Sequence, residues 1–250
     1  MRITTLLCLV PLCLIPTAAV ADPTAEAPPE PLWKGSVGLS YLATGGNADT
    51  QSLGSSLSFE RRPTPWGLTI GADFSRAEKD SEKTAERYLL RLRGERSLGS
   101  RWSLFGGASG ERDRFAGFDS RIVVEAGATF RALDGPRHEL SVDGGITWTS
   151  EDREAGATTD AVGALLAIDY AWRISESTRW TERLVYYPNF EDSEDWRLTY
   201  QTALEAALSN LLALKVGYEL RYDNEPVSGF EDTDTTFTTS LVVKFPSPAE

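Results

Sequence analysis

The chain has 250 residues and is acidic, with 37 Asp and Glu against 25 Lys and Arg and a formal net charge of −12. This excess of acid disfavours nucleic acid as a partner, because phosphate backbones are bound by clustered Lys and Arg. After residue 21, no stretch approaches the ~20 consecutive apolar residues of a membrane helix, which excludes a helical membrane protein.

Two N-terminal segments precede the part that is predicted to fold. Residues 1–21 begin with a positive charge at Arg2, continue with an apolar run and end on small residues, which is the order of a cleaved secretory signal peptide. Both cysteines of the chain, Cys8 and Cys13, fall inside it. Residues 22–32 are acidic and proline-rich, a composition that does not pair inside a sheet. They are predicted to form a short periplasmic tail.

From residue 33 to residue 245 the sequence repeats one unit, about ten residues with an apolar side chain at every second position, and then a break. A period of two places alternate side chains on opposite faces of a sheet, and a barrel in lipid needs an apolar outer face and a polar inner face. Twelve such rows follow one another. We predict an all-β fold, a transmembrane antiparallel up-and-down β-barrel of about 12 strands in residues 33–245, with residues 246–250 as a short C-terminal tail.

The breaks between rows alternate in length. Short breaks near 61–65, 97–101, 133–137, 174–177 and 209–211 alternate with longer ones near 78–86, 111–119, 151–160, 188–195 and 223–234. Bacterial barrels have short periplasmic turns and longer external loops, so both termini are predicted to be periplasmic and the chain to lie in the outer membrane. Aromatic residues cluster at both ends of the rows, as interfacial girdles require. A secreted β-sandwich would need neither feature.

Three short motifs stand within these rows. They are WKGSVGLSYLATGGNADT (Trp33 to Thr50), ERDRFAGFDSR (Glu111 to Arg121) and YDNEP (Tyr222 to Pro226). With them the chain resembles the YdiY-like family of salt-induced outer-membrane proteins, classed as a domain of unknown function. The resemblance covers nearly the whole predicted barrel. It implies the fold, the outer-membrane location and a link to salt stress, and it supplies no catalytic residues. As an outer-membrane barrel, the chain is expected to be inserted by the barrel-assembly machinery and to contact lipid and lipopolysaccharide.

The sequence offers little support for catalysis or tight metal binding. Its single histidine, His138, follows a short turn and is expected at the periplasmic rim, whereas barrel enzymes use a histidine near the outer leaflet, so no enzymatic activity is expected. Without a Cys or His cluster, neither a cofactor nor a zinc or copper site is expected. Acidic loop residues are weak candidates for divalent ions, although their spacing matches no EF-hand: Asp192, Asp195, Asp232 and Asp234.

The predicted inner rows hold the residues that matter most for function. Their bases and acids nearly balance, and the candidates to line the lumen are Arg91, Arg93, Glu95, Glu125, Asp143, Asp169, Arg183, Arg197, Glu205, Lys215, Glu219 and Arg221. In one interpretation, the basic rungs line a narrow pore for ions or small solutes. In the other, ion pairs close the lumen and the protein is a structural envelope element that acts through its acidic loops. Twelve strands lie between a filled barrel of eight and an open channel of sixteen, so both interpretations stay open.

Overall fold

The computed structural model describes residues 32–44, 50–63, 65–153 and 158–246. The predicted signal peptide, most of the N-terminal tail and residues 247–250 lie outside the described residues. In the described part of the chain no helix is long and apolar enough to span a membrane. The strands are β1 Trp33–Thr44, β2 Thr50–Arg61, β3 Trp66–Lys79, β4 Glu82–Ser97, β5 Trp102–Asp113, β6 Phe118–Asp134, β7 His138–Arg153, β8 Thr159–Arg173, β9 Thr178–Pro188, β10 Trp196–Ala207, β11 Leu212–Asp223 and β12 Thr233–Pro246.

These twelve strands form one closed antiparallel barrel in which each strand pairs with its neighbours in sequence, which confirms the predicted fold class. The barrel closes where β12 pairs with β1, with Gly35 opposite Phe245 and Leu39 opposite Leu241. Closure gives the backbone N–H and C=O groups of both terminal strands partners on each side. A sheet can face lipid only in this way, because hydrocarbon offers no hydrogen bonds to an open edge.

The outer face of the barrel carries an apolar band. Large apolar side chains in the middle of the strands are exposed, such as Ile146 at 63% and Leu166 at 53%. Aromatic pairs lie at both ends of the band: Trp33–Phe59 and Trp102–Phe130 at one end, and Phe74–Tyr88 and Trp196–Tyr222 at the other. An apolar belt between two aromatic girdles is the construction of a bacterial outer-membrane β-barrel.

The two ends of the barrel differ in their connections. The turn end has the connections 62–65, 98–101, 135–137, 174–177 and 208–211, together with both ends of the described chain. The opposite end, the loop end, has the connections 80–81, 114–117, 189–195 and 224–232, and β1 and β7 end there. The long loop predicted near 78–86 is wrong, because β3 and β4 continue to a two-residue hairpin at Asp80 and Ser81, whose φ angles are 51° and 69°. Both residues adopt the left-handed conformation that such tight hairpins need. The strands therefore project beyond the apolar band.

The apolar band predicts how the barrel tolerates a charge on its outer face. We expect Leu166→Arg to lower the free energy of unfolding in lipid vesicles by ~2–4 kcal/mol, because the arginine would enter hydrocarbon. Leu208→Arg is the control, since Leu208 is 63% exposed in a connection at the turn end. Denaturant titration measures both variants, and equal small effects would argue that the band faces water.

Candidate functional site

The two-residue period of the strands decides which side chains lie on the inner face of the barrel. Arg87, Arg91, Arg93 and Glu95 of β4 are separated by even numbers of residues, so their side chains lie on one face of the sheet. Cross-strand partners extend this face around the barrel, because residues directly opposite each other in an antiparallel pair share a face. The register opposes Arg93 to Gly107 and Gly107 to Glu125, for example. The inward rows therefore form continuous lines of side chains around the lumen.

Four inward residues connect opposite walls, and we call them the lumen bridge: Arg87, Glu111, Glu219 and Arg221. Arg87 contacts Glu111 Oε1 at 2.5 Å and Glu219 Oε1 at 2.8 Å, and Arg221 contacts Glu111 Oε1 at 2.9 Å. Five strands separate β5, which carries Glu111, from β11, which carries Arg221, in either direction around the barrel. The last of these ion pairs therefore crosses the lumen.

The lumen bridge is well shielded from water, with side-chain exposures of 14% to 21%. Asp113 and Asp234 also contact Arg221, at 2.9 Å and 3.1 Å, so each guanidinium has more than one carboxylate. Buried charges are tolerated when they are paired and hydrogen-bonded in this way. The bridge consequently holds the loop-end half of the lumen together.

A second group of contacts covers the lumen at the loop end. Arg121 of β6 pairs with Glu151 of β7 and lies 3.4 Å from Asp223 of β11, across the barrel. The connection between β11 and β12 folds over this group, where Val227 is 6% exposed. A Cβ added at Gly117 would lie 2.7 Å from both Val227 and Phe230, and its φ of 88° also favours glycine. The β11–β12 connection thus closes the mouth above β5 and β6.

An apolar cluster lies on the inner face of β5, β8 and β9, where the sequence predicted polar side chains. Phe105, Leu165, Ala167 and Val185 are each at most 5% exposed, and Tyr187 packs against them. Phe105 of β5 and Leu165 of β8 lie in one row of directly opposed residues along the wall, with Gly127 and Gly145 on the two strands between them. A Cβ at one of these, Gly127, would lie 2.7 Å from the Phe105 ring. Burying side chains of this size stabilises the fold by ~1.5–3 kcal/mol each.

The remaining lumen is a cavity of about 1620 Å³ that reaches both ends of the barrel, and we call it the main cavity. Its lining includes Ser97 and Asp134 at the turn end and Ser52 and Asp234 at the loop end. On β1, β2 and β12 the lining includes a group of small and hydroxyl-bearing residues, which we call the hydroxyl wall: Gly38, Ser40, Ser52, Gly54, Ser56, Thr236, Thr238 and Ser240. Because these side chains are short, they leave the space beside β1, β2 and β12 open to the main cavity.

Charged residues of the main cavity are largely paired. Arg91 contacts Asp73 at 2.6 Å, and this pair is accessible, with exposures of 48% and 38%. Arg93 contacts Asp143 at 2.8 Å and also lies 3.7 Å above the Phe105 ring, so it connects the cavity to the apolar cluster. Lys215 forms no ion pair with any residue in the described ranges. The accessible Arg91–Asp73 pair and Lys215 therefore present their charges to whatever enters the cavity.

Of the twelve residues predicted to line the lumen, nine line the main cavity: Arg91, Arg93, Glu95, Asp143, Asp169, Arg183, Lys215, Glu219 and Arg221. The other three lie elsewhere on the inner face. Glu205 pairs with Lys244 at 2.6 Å, and Glu125 lies 3.9 Å from Arg93. Arg197, predicted as a rung of the pore, instead lines a separate cavity of about 30 Å³ at the loop end, where it donates to Thr149 at 3.2 Å.

Sequence reasoning missed two parts of this site. It assigned Glu111 to a loop and left Arg87 out of the inner row, because it ended the strands at the membrane surface, although Arg87 shares its parity with Arg91. It also treated inward positions as polar, which concealed the apolar cluster around Phe105 and Leu165. The signal available was the short apolar run at 164–168, which breaks strict alternation.

The candidate divalent-ion residues do not converge. Asp195 accepts a hydrogen bond from Asn189 at 2.8 Å, Asp192 accepts one from the Glu194 backbone N–H at 2.8 Å, and Asp234 belongs to the contacts of Arg221. Within the described residues, no three His, Cys, Asp or Glu side chains come together as metal ligands would. His138 lies at the turn end, as predicted, with its Nδ1 2.8 Å from the Tyr170 hydroxyl.

The lumen bridge predicts a large cost for removing one of its members. We expect Arg87→Met to lower the free energy of unfolding by ~3–5 kcal/mol, because Glu219 and Glu111 would keep buried charges with fewer partners. The double variant Arg87→Met/Glu219→Met should recover part of this loss, since it removes the orphaned carboxylate as well. As a control, Lys34→Met breaks the exposed pair with Glu60, at 48% and 39%, and should cost at most ~1 kcal/mol. Equal losses for Arg87→Met and Lys34→Met in guanidinium titrations would contradict a stabilising bridge.

Comparison with known proteins confirms the family resemblance found in the sequence. Residues 37–245 match the family described as "Protein of unknown function, DUF481". The "Uncharacterized protein YdiY" of Escherichia coli K12 is 29% identical over 228 residues, which cover 88% of this chain and 85% of that protein. Among solved structures, the NanC porin has a TM-score of 0.49 at 11% identity, covering 85% of this chain and 97% of that one. An outer membrane channel from Pseudomonas putida F1 has a TM-score of 0.48 at 13% identity, covering 90% and 99%.

Proposed function

We propose that this chain, which belongs to the family described as "Protein of unknown function, DUF481", is a narrow pore for ions and small hydrophilic solutes in the bacterial outer membrane. The main cavity carries the proposal, because it reaches both ends of the barrel and has a volume of about 1620 Å³. The apolar cluster and the lumen bridge occupy the walls around β4 to β9 and β11. Passage is therefore along the hydroxyl wall.

The lining of this path supports solutes that carry their own hydrogen-bonding groups. Serine and threonine hydroxyls both donate and accept hydrogen bonds, and they can replace water around a solute that sheds part of its hydration. They carry no charge, so selectivity depends on the accessible pairs Arg91–Asp73 and Lys34–Glu60 and on Lys215. The proposed pore is accordingly narrow, polar and only weakly selective for charge.

Orientation, insertion and regulation belong to the same proposal. The turn end, which holds both ends of the described chain, faces the periplasm, as short turns do in bacterial barrels. An exported precursor loses residues 1–21, and the barrel-assembly machinery inserts the rest. The loop end then meets the lipopolysaccharide leaflet. The salt response implied by the family resemblance is tested by the abundance of the protein in outer-membrane fractions of cells grown at low and high salt.

A closed structural barrel is the second candidate, and the lumen bridge favours it. Ion pairs between β5 and β11 cross the lumen, and the β11–β12 connection covers part of the mouth. In that case the protein would reinforce the envelope without conducting. The divalent-ion version of this candidate loses support because the acidic loop residues do not converge.

A thiol placed on the hydroxyl wall distinguishes the pore from the closed barrel. Without residues 1–21 the chain has no cysteine, so a single thiol can be introduced at any site. We expect Ser56→Cys to conduct in planar bilayers until a charged thiol reagent attaches to it, after which conductance should fall severalfold. Thr147→Cys is the control, because Thr147 is 5% exposed and lies outside the main cavity. Absence of conductance from folded, unmodified protein would support the closed barrel.

A charge reversal in the path should alter ion selectivity. We expect Arg91→Glu to shift the reversal potential in asymmetric KCl towards cations, because Asp73 would lose its guanidinium partner and gain a like charge beside it. Arg114→Glu makes the same change of charge at an exposed pair with Asp119, in a residue that does not line the main cavity, and should leave the reversal potential unchanged. Equal shifts for the two variants would place the permeation path elsewhere.

A further inference from the structure

Three arginines lie at the turn end, and we call them the arginine collar: Arg61, Arg96 and Arg101. All three are exposed. In the strand ladders Arg61 lies opposite Trp33 and Leu68, and Arg96 lies opposite Trp66 and Leu104. Opposed residues share a face of the sheet, so Arg61 and Arg96 share the outer face with these apolar side chains. Arg101 directly precedes Trp102.

Each member of the collar accompanies a tryptophan of the turn-end girdle. The Arg96 guanidinium lies 5.3 Å from the centre of the Trp66 ring, and Trp66 and Trp102 are 61% and 54% exposed. Exposed tryptophans mark the depth of the membrane interface, because one part of the ring prefers hydrocarbon and its N–H prefers polar groups. The collar therefore lies at the level of lipid headgroups.

The charges of the collar have no carboxylate partner among the described residues. Arg61, Arg96 and Arg101 form no ion pair with any residue of the described chain, and segments 61–66 and 96–102 contain no Asp or Glu. At the loop end, by contrast, several bases are paired with acids: Arg76 with Glu78, Lys83 with Glu86 and Arg114 with Asp119. The acids of β2 and β4 at this end, Glu60 and Glu95, are paired with Lys34 and Arg131. A local excess of positive charge thus surrounds the girdle from β1 to β5.

We propose that the arginine collar binds the phosphates of anionic phospholipids in the leaflet that surrounds the turn end. A guanidinium presents a planar fork of donors that matches a phosphate, and it is weakly hydrated enough to lie beside an indole ring. The adjacent tryptophans contact the upper part of the acyl chains, so headgroup and chain are recognised together. The collar goes beyond the proposed pore, since Arg96 and Arg101 lie outside the lining of the main cavity, to which only Arg61 also belongs.

We assign the lipid at the arginine collar to phospholipid rather than to lipopolysaccharide. Lipopolysaccharide phosphates would meet the loop end, where exposed acids such as Asp152, Asp160 and Glu191 surround the barrel. The collar lies at the opposite end, together with both ends of the described chain. Its binding of phospholipid would therefore fix the orientation of the barrel and retain anionic lipid around β1 to β5.

Fluorescence quenching by brominated lipids tests the collar. The full barrel without residues 1–21 is folded into phosphatidylcholine vesicles that hold a minor fraction of brominated phosphatidylglycerol or, in parallel, of brominated phosphatidylcholine. We expect phosphatidylglycerol to quench tryptophan more strongly, about twofold or more, since each Arg near an anionic surface favours it roughly fivefold. In Arg61→Gln/Arg96→Gln/Arg101→Gln this preference should disappear. The matched control Arg76→Gln/Lys79→Gln/Arg112→Gln removes three charges at the loop end and should keep it.

The following results would contradict the proposal. Equal quenching by the two lipids in the unaltered protein would overturn it, as would a preference that survives in the collar triple variant. Displacement of brominated phosphatidylglycerol by added lipopolysaccharide would overturn the assignment to phospholipid. Folding of every variant is checked by its heat-dependent gel mobility. If the triple variant does not fold, Arg96→Gln alone must reduce the preference, because Arg96 is the member that lies over a tryptophan ring.

Discussion

Closure of the sheet between β1 and β12 is the constraint on which the rest of the structure depends. Hydrocarbon leaves an unpaired backbone group without any partner, so a sheet in the membrane must have no edge. Closure also divides the side chains into an outer set, which meets lipid, and an inner set, which does not. The apolar band with its girdles and the charged lumen are the two results of that division.

The interior shows that a barrel of twelve strands need be neither filled nor open. One part of its wall is packed like a soluble core, with Phe105 and Leu165 meeting above glycines, and ion pairs join β5 to β11 beside it. The other part is lined by small hydroxyl side chains and remains hollow. The packed part and the hollow part of the interior thus lie against different strands.

Much of the fold could be predicted from the sequence, and the reasons are physical. Alternation with a period of two follows directly from lipid on one face and a lumen on the other, so the number of strands could be counted. The hairpin at Asp80 and Ser81 could not, because above the membrane the outer face no longer requires apolar side chains and the pattern fades. The bridge depends on which residues face each other across the barrel. That relation is set by the stagger of twelve strands, and no local pattern encodes it.

The sequence separation of the lumen bridge has a consequence for the order in which the barrel forms. Arg87 and Glu219 are 132 residues apart, and their contact requires that the strands between and beyond them already be in register. We expect such a contact to form after the step that limits the rate of folding. Interactions absent from the transition state act on the rate of unfolding, and leave the rate of folding almost unchanged. We therefore expect the lumen bridge to lower the rate at which the finished barrel unfolds in the membrane, without lowering the rate at which it folds.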